Sequence, residues 1–350
     1  MPCGIRAYRR FVMLITTKSL WSRALAGLLL VLLQGVALAA GIVDTAYVEQ
    51  ALRRGAIVWD IRDADDYQAG HVPGAVNLGD AGRVLRDPNR EDFVPTPQVE
   101  ALLGKAGIDI LNKEVIAYSR KGDPYAYYAA YLARYFGAPD AKVFHGGLDD
   151  WRAAGKPLDK NATTLPAVTL KLAPQPGVAL WNDDMVARVR AGKTQILDVR
   201  TPGEYAGNDI RAIRGGHVPN AVNIPYEQNW VDPATPGKLA RKEVKTRDGM
   251  ALKPLEDLRR LYAGLDPDKE VVVMCQSGVR ASETATVLRD LGFKDVKVYE
   301  PSWLGYAGVL SAPAANETFF NVGALNGRLG AMQGRIDELE AEVDRLKARK

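Results

Sequence analysis

Cysteine is almost absent from this chain, which has two cysteines among 350 residues, Cys3 and Cys275. Cys3 lies in a basic N-terminal stretch that precedes the apolar run "ALAGLLLVLLQGVALAA". Ala37 and Ala39 fit the −3 and −1 positions of a cleavage site, so residues 1–39 are predicted to form a secretory signal peptide, with an uncleaved membrane anchor as the alternative. Cleavage would leave Cys275 alone, which excludes an internal disulfide framework in a periplasmic or secreted protein.

Metal-ligand and nucleotide-binding patterns are also absent. The chain has three histidines, no cluster of histidine and cysteine with metal-ligand spacing, and no glycine-rich nucleotide loop, so no metal and no cofactor are predicted. Five of the 46 basic residues lie in the first 40 positions, which hold no acidic residue. The rest of the chain therefore carries 41 basic and 42 acidic residues, a balance that does not favour nucleic acid or anionic membranes as partners.

The chain contains an internal repeat. Residues 57–80, "IVWDIRDADDYQAGHVPGAVNLGD", match residues 195–226, "QILDVRTPGEYAGNDIRAIRGGHVPNAVNIPY", once an insertion of about seven residues near positions 208–214 is allowed. Residues 114–137 and 270–293 continue the match, each with a buried β-type run, a loop with glycine and a helical pattern. The predicted class is α/β, with two domains that each contain a mostly parallel sheet flanked by helices. Their predicted ranges are 43–158 and 179–313, joined by a linker at 159–178.

Cys275 lies in the loop "CQSGVR", between the apolar run "VVVM" and a helical pattern. Ligands gather at the carboxyl ends of the strands of a parallel sheet, so this position favours a nucleophile over an inert buried cysteine. A loop that curls onto a helix N-terminus directs backbone N–H groups inward and favours a thiolate at its centre. Arg280 is predicted to bind an anionic substrate, or else to brace the loop through an acidic partner. The loop residues predicted to contact substrate are Gln276, Ser277, Gly278, Val279 and Arg280.

The chain combines two features: the cysteine loop, and the signature Asp-x-Arg…Gly-His-Val-Pro-x-Ala-Val-Asn, which occurs at 60–77 and again at 198–223. Together they make the chain resemble a tandem-domain rhodanese of the thiosulfate sulfurtransferase family. The resemblance covers roughly residues 43–313. It implies that the Cys275 thiolate takes the outer sulfur of thiosulfate and passes it, as a persulfide, to a thiol or cyanide. It also implies that four residues between Cys275 and Arg280 suit a single sulfur atom, whereas phosphatase relatives have five. The neutral Gln276 and Ser277 with the basic Arg280 favour thiosulfate over mercaptopyruvate.

The first copy departs from this pattern at two positions. Ser119 stands where the second copy has Cys275, and Pro124 stands where it has Arg280. By the resemblance, residues 43–158 form a catalytically inactive domain. A persulfide relay, or a sulfur-carrier or sensor module that serves a protein partner, is the alternative to an enzyme that acts on a small anionic donor.

The Asp-x-Arg pair and the histidine of the signature recur in both copies; the pairs are Asp60 and Arg62 in the first copy and Asp198 and Arg200 in the second. Because His71 and His217 occur in the active and the inactive copy alike, a structural role is predicted for both. The same argument applies to the Asp-x-Arg pairs, although Arg200 is also a candidate for supplying positive potential near a bound substrate.

Beyond position 320 the sequence changes character. Leu325, Leu329, Met332, Ile336, Leu339, Val343 and Leu346 follow one another at spacings of four and three. This heptad pattern predicts a coiled-coil helix over 324–350, with homodimerisation as one reading and a helix that folds onto its own domain as the other.

Overall fold

The computed structural model describes residues 41–87 and 92–348. The predicted signal peptide and Cys3 lie outside the described residues. Within the described ranges, no helix is both long and apolar enough to cross a membrane.

Two five-stranded parallel sheets form the framework of the molecule, and they repeat one topology. The strands of the first half are β1 Ile42–Val43, β2 Ile57–Asp60, β3 Val76–Asn77, β4 Arg86–Asp87, β5 Asp92–Phe93, β6 Val115–Tyr118 and β7 Ala141–Phe144. The strands of the second half are β8 Ala179–Leu180, β9 Gln195–Asp198, β10 Arg214–His217, β11 Val222–Asn223, β12 Val271–Met274, β13 Val296–Tyr299 and β14 Ala315–Phe319. The order is β1-β7-β6-β2-β3 in the first sheet and β8-β13-β12-β9-β11 in the second, so each strand of one sheet has a counterpart in the other. The predicted α/β class, with a parallel sheet flanked by helices in each half, is confirmed.

Helices flank both sheets. Those of the first half are α1 Thr45–Arg53, α2 Ala64–Ala69, α3 Ala81–Val84, α4 Thr96–Lys105, α5 Pro124–Tyr135 and α6 Gly147–Ala153. Those of the second half are α7 Asn182–Ala191, α8 Pro202–Tyr205, α9 Thr235–Ala240, α10 Leu255–Leu261, α11 Val279–Asp290 and α12 Ser302–Gly308. A further helix, α13 Val322–Lys347, follows β14, and 3-10 turns occur at Tyr226–Asn229 and Asp248–Met250.

The strand that leads to Cys275 lies in the middle of its sheet. β12 is hydrogen-bonded to β9 on one side and to β13 on the other, and all four of its residues are buried. A strand covered on both faces must be apolar throughout, which explains the uninterrupted run "VVVM".

The repeated signature makes the same contacts in both halves. In the second half Arg200 donates hydrogen bonds to Asp198, and Asn223 donates to the carbonyls of both residues. His217 stacks on Tyr205 with ring centroids 3.6 Å apart, and its Nδ1 lies 2.8 Å from the Tyr205 carbonyl. The first half repeats each of these contacts at the matching positions, Asp60, Arg62, Tyr67, His71 and Asn77. The signature therefore ties the end of a strand to the following turn.

The two halves are joined by an apolar interface. Helices α5 and α11, which follow the equivalent strands β6 and β12, pack against each other, and one hydrophobic cluster includes residues of both halves. Polar bonds cross the interface as well: the amides of Gly41 and Ile42 donate to Asp290. Since apolar burial dominates such contacts, the halves form one packed unit.

A second interface contact involves the third histidine. His145 Nε2 lies 2.8 Å from the carbonyl of Met250, which can only accept, so Nε2 donates and Nδ1 accepts from the Tyr127 hydroxyl at 2.8 Å. Burial lowers the pKa of His145 to about 4, despite the hydrogen bond to Met250. The imidazole is therefore neutral in the folded protein at every pH above about 4.

We predict that this histidine makes stability depend on pH. Below pH 6.5 the unfolded chain protonates His145 but the folded chain does not, so the free energy of unfolding falls as the pH falls from about 6.5 towards 4. In the wild-type protein, protonation of His145 in the unfolded chain lowers the free energy of unfolding at pH 5 by about 2 kcal/mol relative to pH 7.5. His145→Gln keeps a donor for the Met250 carbonyl and does not titrate. Urea unfolding of both proteins at the two pH values measures the difference, and equal losses would contradict the prediction.

Candidate active site

Cys275 is the first residue after β12, at the carboxyl end of the central strand, and its exposed fraction is 1%. The loop that follows is short, because α11 begins at Val279. Gly278 makes this sharp return possible: its φ is +80°, and a Cβ at that position would lie 2.9 Å from the Glu300 carbonyl oxygen. The loop therefore has the predicted position between a strand end and a helix N-terminus.

Both ends of the loop are held by one hydroxyl group. Ser302 Oγ accepts hydrogen bonds from the amides of Cys275 at 3.1 Å and of Gly278 at 3.0 Å, and it donates to the Tyr299 carbonyl at 2.7 Å. The φ of Ser302 is +48°, a conformation that favours glycine, and the matching residue of the first half is Gly147 with φ +53°. The second half thus retains a strained backbone position at the residue that fixes the loop.

The start of α12 orients the remaining peptide groups. The amides of Trp303 and Leu304 donate to the carbonyls of Cys275 and Gln276, each at 3.0 Å. In a trans peptide the N–H points opposite to the C=O, so the N–H groups of Gln276 and Ser277, which share peptides with these two carbonyls, are directed away from α12. The Ser277 amide accordingly points at the sulfur, 3.4 Å from Cys275 Sγ. Part of the predicted amide cradle is therefore present, while the amides of Cys275 and Gly278 are bound by Ser302 instead.

Arg280 forms a bidentate ion pair. Its Nη1 and Nη2 each lie 2.8 Å from an oxygen of Glu204, which is buried, and Arg211 Nη1 contacts the same carboxylate at 3.0 Å. Burial opposes the charged form of Arg280, but the bonds to Glu204 and the attraction of Cys275 raise its pKa. Burial likewise raises the pKa of Glu204, and the hydrogen bond from Arg280 outweighs this effect and brings the pKa to about 2. Arg280 therefore has the acidic partner that the bracing role requires, and its contact with a substrate stays a prediction.

The first half contributes one side chain to the loop. Arg86, in β4, donates from Nη1 to the carbonyl of Ser277. Its guanidinium lies 5.8 Å from the ring centre of Tyr128 and 3.8 Å from Glu300 Oε1. The peptide between Ser277 and Gly278 is therefore held from both halves of the molecule.

The other predicted contact residues differ in what they present. Gln276 is buried, and its Nε2 donates to the Arg211 carbonyl at 2.8 Å; among the described residues no hydrogen bond to its Oε1 is found. Ser277 is half-buried at the loop surface. The Val279 side chain belongs to the hydrophobic core, so substrate contact by that side chain is not supported.

Arg200 makes the structural contacts expected of an Asp-x-Arg pair, and its burial does not support the additional role near a bound substrate. Its guanidinium bonds to Asp198 and, at 2.8 Å, to the Gly216 carbonyl, and its exposed fraction is 1%. It also lies over the Trp303 ring, 4.6 Å from the ring centre. The residue is buried because the Asp-x-Arg pair faces the interior of the sheet end.

The equivalent loop of the first half is built differently. Ser119 Oγ donates to Asp123 Oδ2 at 2.5 Å, and Asp66 pairs with Arg120 at 2.8 Å. Next to Ser119 is a cavity of about 110 Å³ whose lining includes four carboxylates, from Asp63, Asp66, Asp80 and Asp123. Burial, with a contribution from the negative charge of Asp123, raises the pKa of Asp80.

The chain has two α/β halves with parallel sheets, and one of them holds a cysteine at the end of its central strand. This arrangement defines the class of protein. The family model described as "Rhodanese-like domain" matches residues 44–154 and 182–308. The chain belongs to the rhodanese family.

Several relatives share most of the chain. A protein of Saccharopolyspora erythraea named "Putative thiosulfate sulfurtransferase" is 32% identical over 289 residues, which are 79% of this chain and 96% of that protein. One of Mycobacterium tuberculosis, named "Putative thiosulfate sulfurtransferase SseA", is 33% identical over 74% of this chain and 84% of its own. Among solved structures, the anaerobic ergothioneine biosynthesis enzyme from Chlorobium limicola has a TM-score of 0.65 at 20% identity, covering 78% of this chain and 69% of that one, and thus shares the fold.

Four residues of the site were not found from the sequence: Glu204, Arg211, Arg86 and Ser302. Glu204 carried a signal, since it lies in the repeat where the first half has Asp66, also an acid that pairs with a loop arginine. Arg211 lies in the insertion that only the second half has. Arg86 and Ser302 reach the loop from distant elements, so only the folded chain reveals them.

We predict that the Ser302 hydroxyl is needed for activity. Ser302→Ala leaves the amides of Cys275 and Gly278 without their acceptor, at a cost of about 1–3 kcal/mol, so sulfur transfer falls about tenfold or more. Ser302→Gly is the matched control, because it suits the positive φ, as Gly147 does, but also lacks the hydroxyl. Both variants are expected to lose activity and to change the alkylation rate of Cys275, with circular dichroism unchanged. Full activity in the glycine variant would contradict the prediction.

Proposed function

We propose that this chain is a thiosulfate sulfurtransferase in which Cys275 carries the transferred sulfur. The two rhodanese-like domains and the relatives named as sulfurtransferases support the general assignment as a sulfurtransferase. The observation that carries the finer proposal is the position of Cys275, at a strand end, with the Ser277 amide directed at its sulfur.

The reaction has two displacement steps. The Cys275 thiolate attacks the outer sulfur of thiosulfate, the S–S bond of thiosulfate breaks, and sulfite leaves with the electron pair. The persulfide on Cys275 is then attacked at its terminal sulfur by cyanide or a thiolate, and the Cys275 thiolate is released. The amide of Ser277 and the N-terminus of α11 stabilise negative charge at the sulfur in both steps.

Charge at the site supports an anionic donor. Arg280 and Glu204 neutralise each other, but Arg211 contacts the same carboxylate and has a side chain that is 59% exposed, so the three groups together carry one positive charge. An exposed cation beside the loop attracts a dianion such as thiosulfate.

We also propose that the first half is catalytically inactive. Its serine is hydrogen-bonded to a carboxylate, and no arginine stands at position 124. The neighbouring cavity is lined by four carboxylates and two arginines, and this excess of negative charge would repel an anionic donor. Export of the mature protein belongs to the same proposal and rests on the sequence of residues 1–39 alone.

Mass measurement tests the role of Cys275. After treatment with thiosulfate, the intact chain is expected to gain one sulfur atom, located on the peptide that contains Cys275. Cys275→Ser is expected to lose the gain and at least about 10³-fold of the cyanide-dependent thiocyanate formation, because a serine hydroxyl is a far weaker nucleophile. Cys3→Ser is the control and should gain sulfur as wild type does. Activity that persists in Cys275→Ser would overturn the proposal.

The second candidate function is a relay that holds sulfur for a protein partner. The exposed apolar side of α13 favours this candidate, since it offers a docking surface. Removing residues 322–350 separates the two, because β14 and its pairing with β10 stay intact. For a small-molecule enzyme we expect strong turnover that survives the truncation within about twofold, since residues of α13 are not among the groups that hold the loop. Weak turnover in the full chain would favour the relay.

A further inference from the structure

The helix α13 has an apolar side that its own chain does not cover. None of its 26 residues is buried, and its large apolar side chains are between 37% and 62% exposed. The reading in which this helix folds onto its own domain is therefore wrong. Because a helix with an uncovered apolar stripe is marginal in water, α13 requires a partner surface.

The apolar side chains form a continuous heptad seam. The helix begins at Val322, which adds one more position to the pattern found in the sequence. Counted from Val322, the a positions are Val322, Leu329, Ile336 and Val343, and the d positions are Leu325, Met332, Leu339 and Leu346. Three of the four a residues are β-branched and three of the four d residues are leucine, a combination that favours two parallel strands.

Glycines mark the opposite side of the helix. Gly323, Gly327, Gly330 and Gly334 occupy the outer b and f positions, and a Cβ at the last three would meet no atom within 4 Å. Each glycine costs about 1 kcal/mol of helix stability relative to alanine. Four such costs make the first half of α13 weak by itself, so its helical state depends on packing along the a and d seam.

The charges beside the seam fit a second copy in parallel orientation. In a parallel pair, a g residue faces the e residue five positions later in the partner helix. Arg335 would then face a second Glu340, and Glu342 would face a second Lys347. An anionic membrane is a poorer match, because the helix carries four basic and five acidic side chains.

Exposed apolar side chains also occur where the chain leaves the second half to enter the helix. β14 pairs with β10, and the Phe320 amide donates to the Ile213 carbonyl at 3.2 Å. Ile213 and Phe319, near this junction, are both exposed.

We propose that α13 pairs with α13 of a second copy of this chain, as a parallel two-stranded coiled coil. The proposal is independent of the sulfur chemistry, since it uses no residue of the cysteine loop.

The molar mass of the purified chain, measured by light scattering, tests the proposal. Wild type is expected to be a dimer. Ile336→Glu places two unpaired carboxylates in one layer of the seam and is expected to weaken association at least about 100-fold. Ala341→Glu adds the same charge at an outer f position and should remain dimeric. A monomeric wild type, a trimer, or equal behaviour of the two variants would overturn the proposal, as would vesicle binding by a monomeric wild type.

Charge exchange tests the parallel register. Arg335→Glu places like charges opposite Glu340 and should weaken the dimer, and adding Glu340→Arg to the same chain should restore it. With Cys3 and Cys275 both replaced by serine, Leu346→Cys should form a disulfide between two copies, because equivalent d positions are adjacent only in a parallel pair. Dimers that neither recover by charge exchange nor form this disulfide would contradict the parallel arrangement.

Discussion

The ion pair between Arg280 and Glu204 is the interaction on which the rest of the site depends. It joins the first turn of α11 to α8, so the loops after β12 and β9 keep a fixed separation around Cys275. Loss of Glu204 would leave the charge of Arg280 largely buried and unpaired, at a cost of about 3–5 kcal/mol, whereas loss of Arg280 would leave Glu204 with Arg211 at 3.0 Å. The pair itself is neutral, and Arg211 at its exposed edge adds one positive charge to the group.

The two halves share this framework and differ in chemistry. In the first half an acid at the matching position, Asp66, also pairs with a loop arginine, Arg120, but that arginine follows Ser119 directly. In the second half the arginine lies five residues after Cys275, inside the helix, and the Ser277 amide between them faces the sulfur. An acid therefore braces the loop in both halves, but only in the second half does that loop hold a cysteine.

Much of this arrangement could be predicted from the sequence. The repeat gave the two sheets, and the position of Cys275 after an apolar run placed it at a strand end, because strand direction and burial are local properties of the pattern. The acidic partner of Arg280 could not be identified from the sequence, because the chain has many acidic residues and only tertiary packing brings Glu204 to Arg280. The structural role of Arg200 was predictable because its Asp-x-Arg pair recurs in both copies, but its burial against the Trp303 ring, which separates it from any substrate, was not. The hydrogen bonds from Ser302 to both ends of the loop depend on a positive φ at Ser302, which the conformational preference of serine does not predict.

One peptide group of the cysteine loop is held by side chains of both halves. The Ser277 carbonyl accepts from Arg86 of the first half, and the Gly278 amide of the same planar unit donates to Ser302 of the second. A planar peptide fixed at both ends cannot rotate unless one of these bonds breaks. Arg86 also lies 5.8 Å from the ring centre of Tyr128 in α5, the helix that packs against α11. The peptide that follows Ser277 is therefore held in part by the first half, which gives a physical reason for that half to remain attached to the half that contains Cys275.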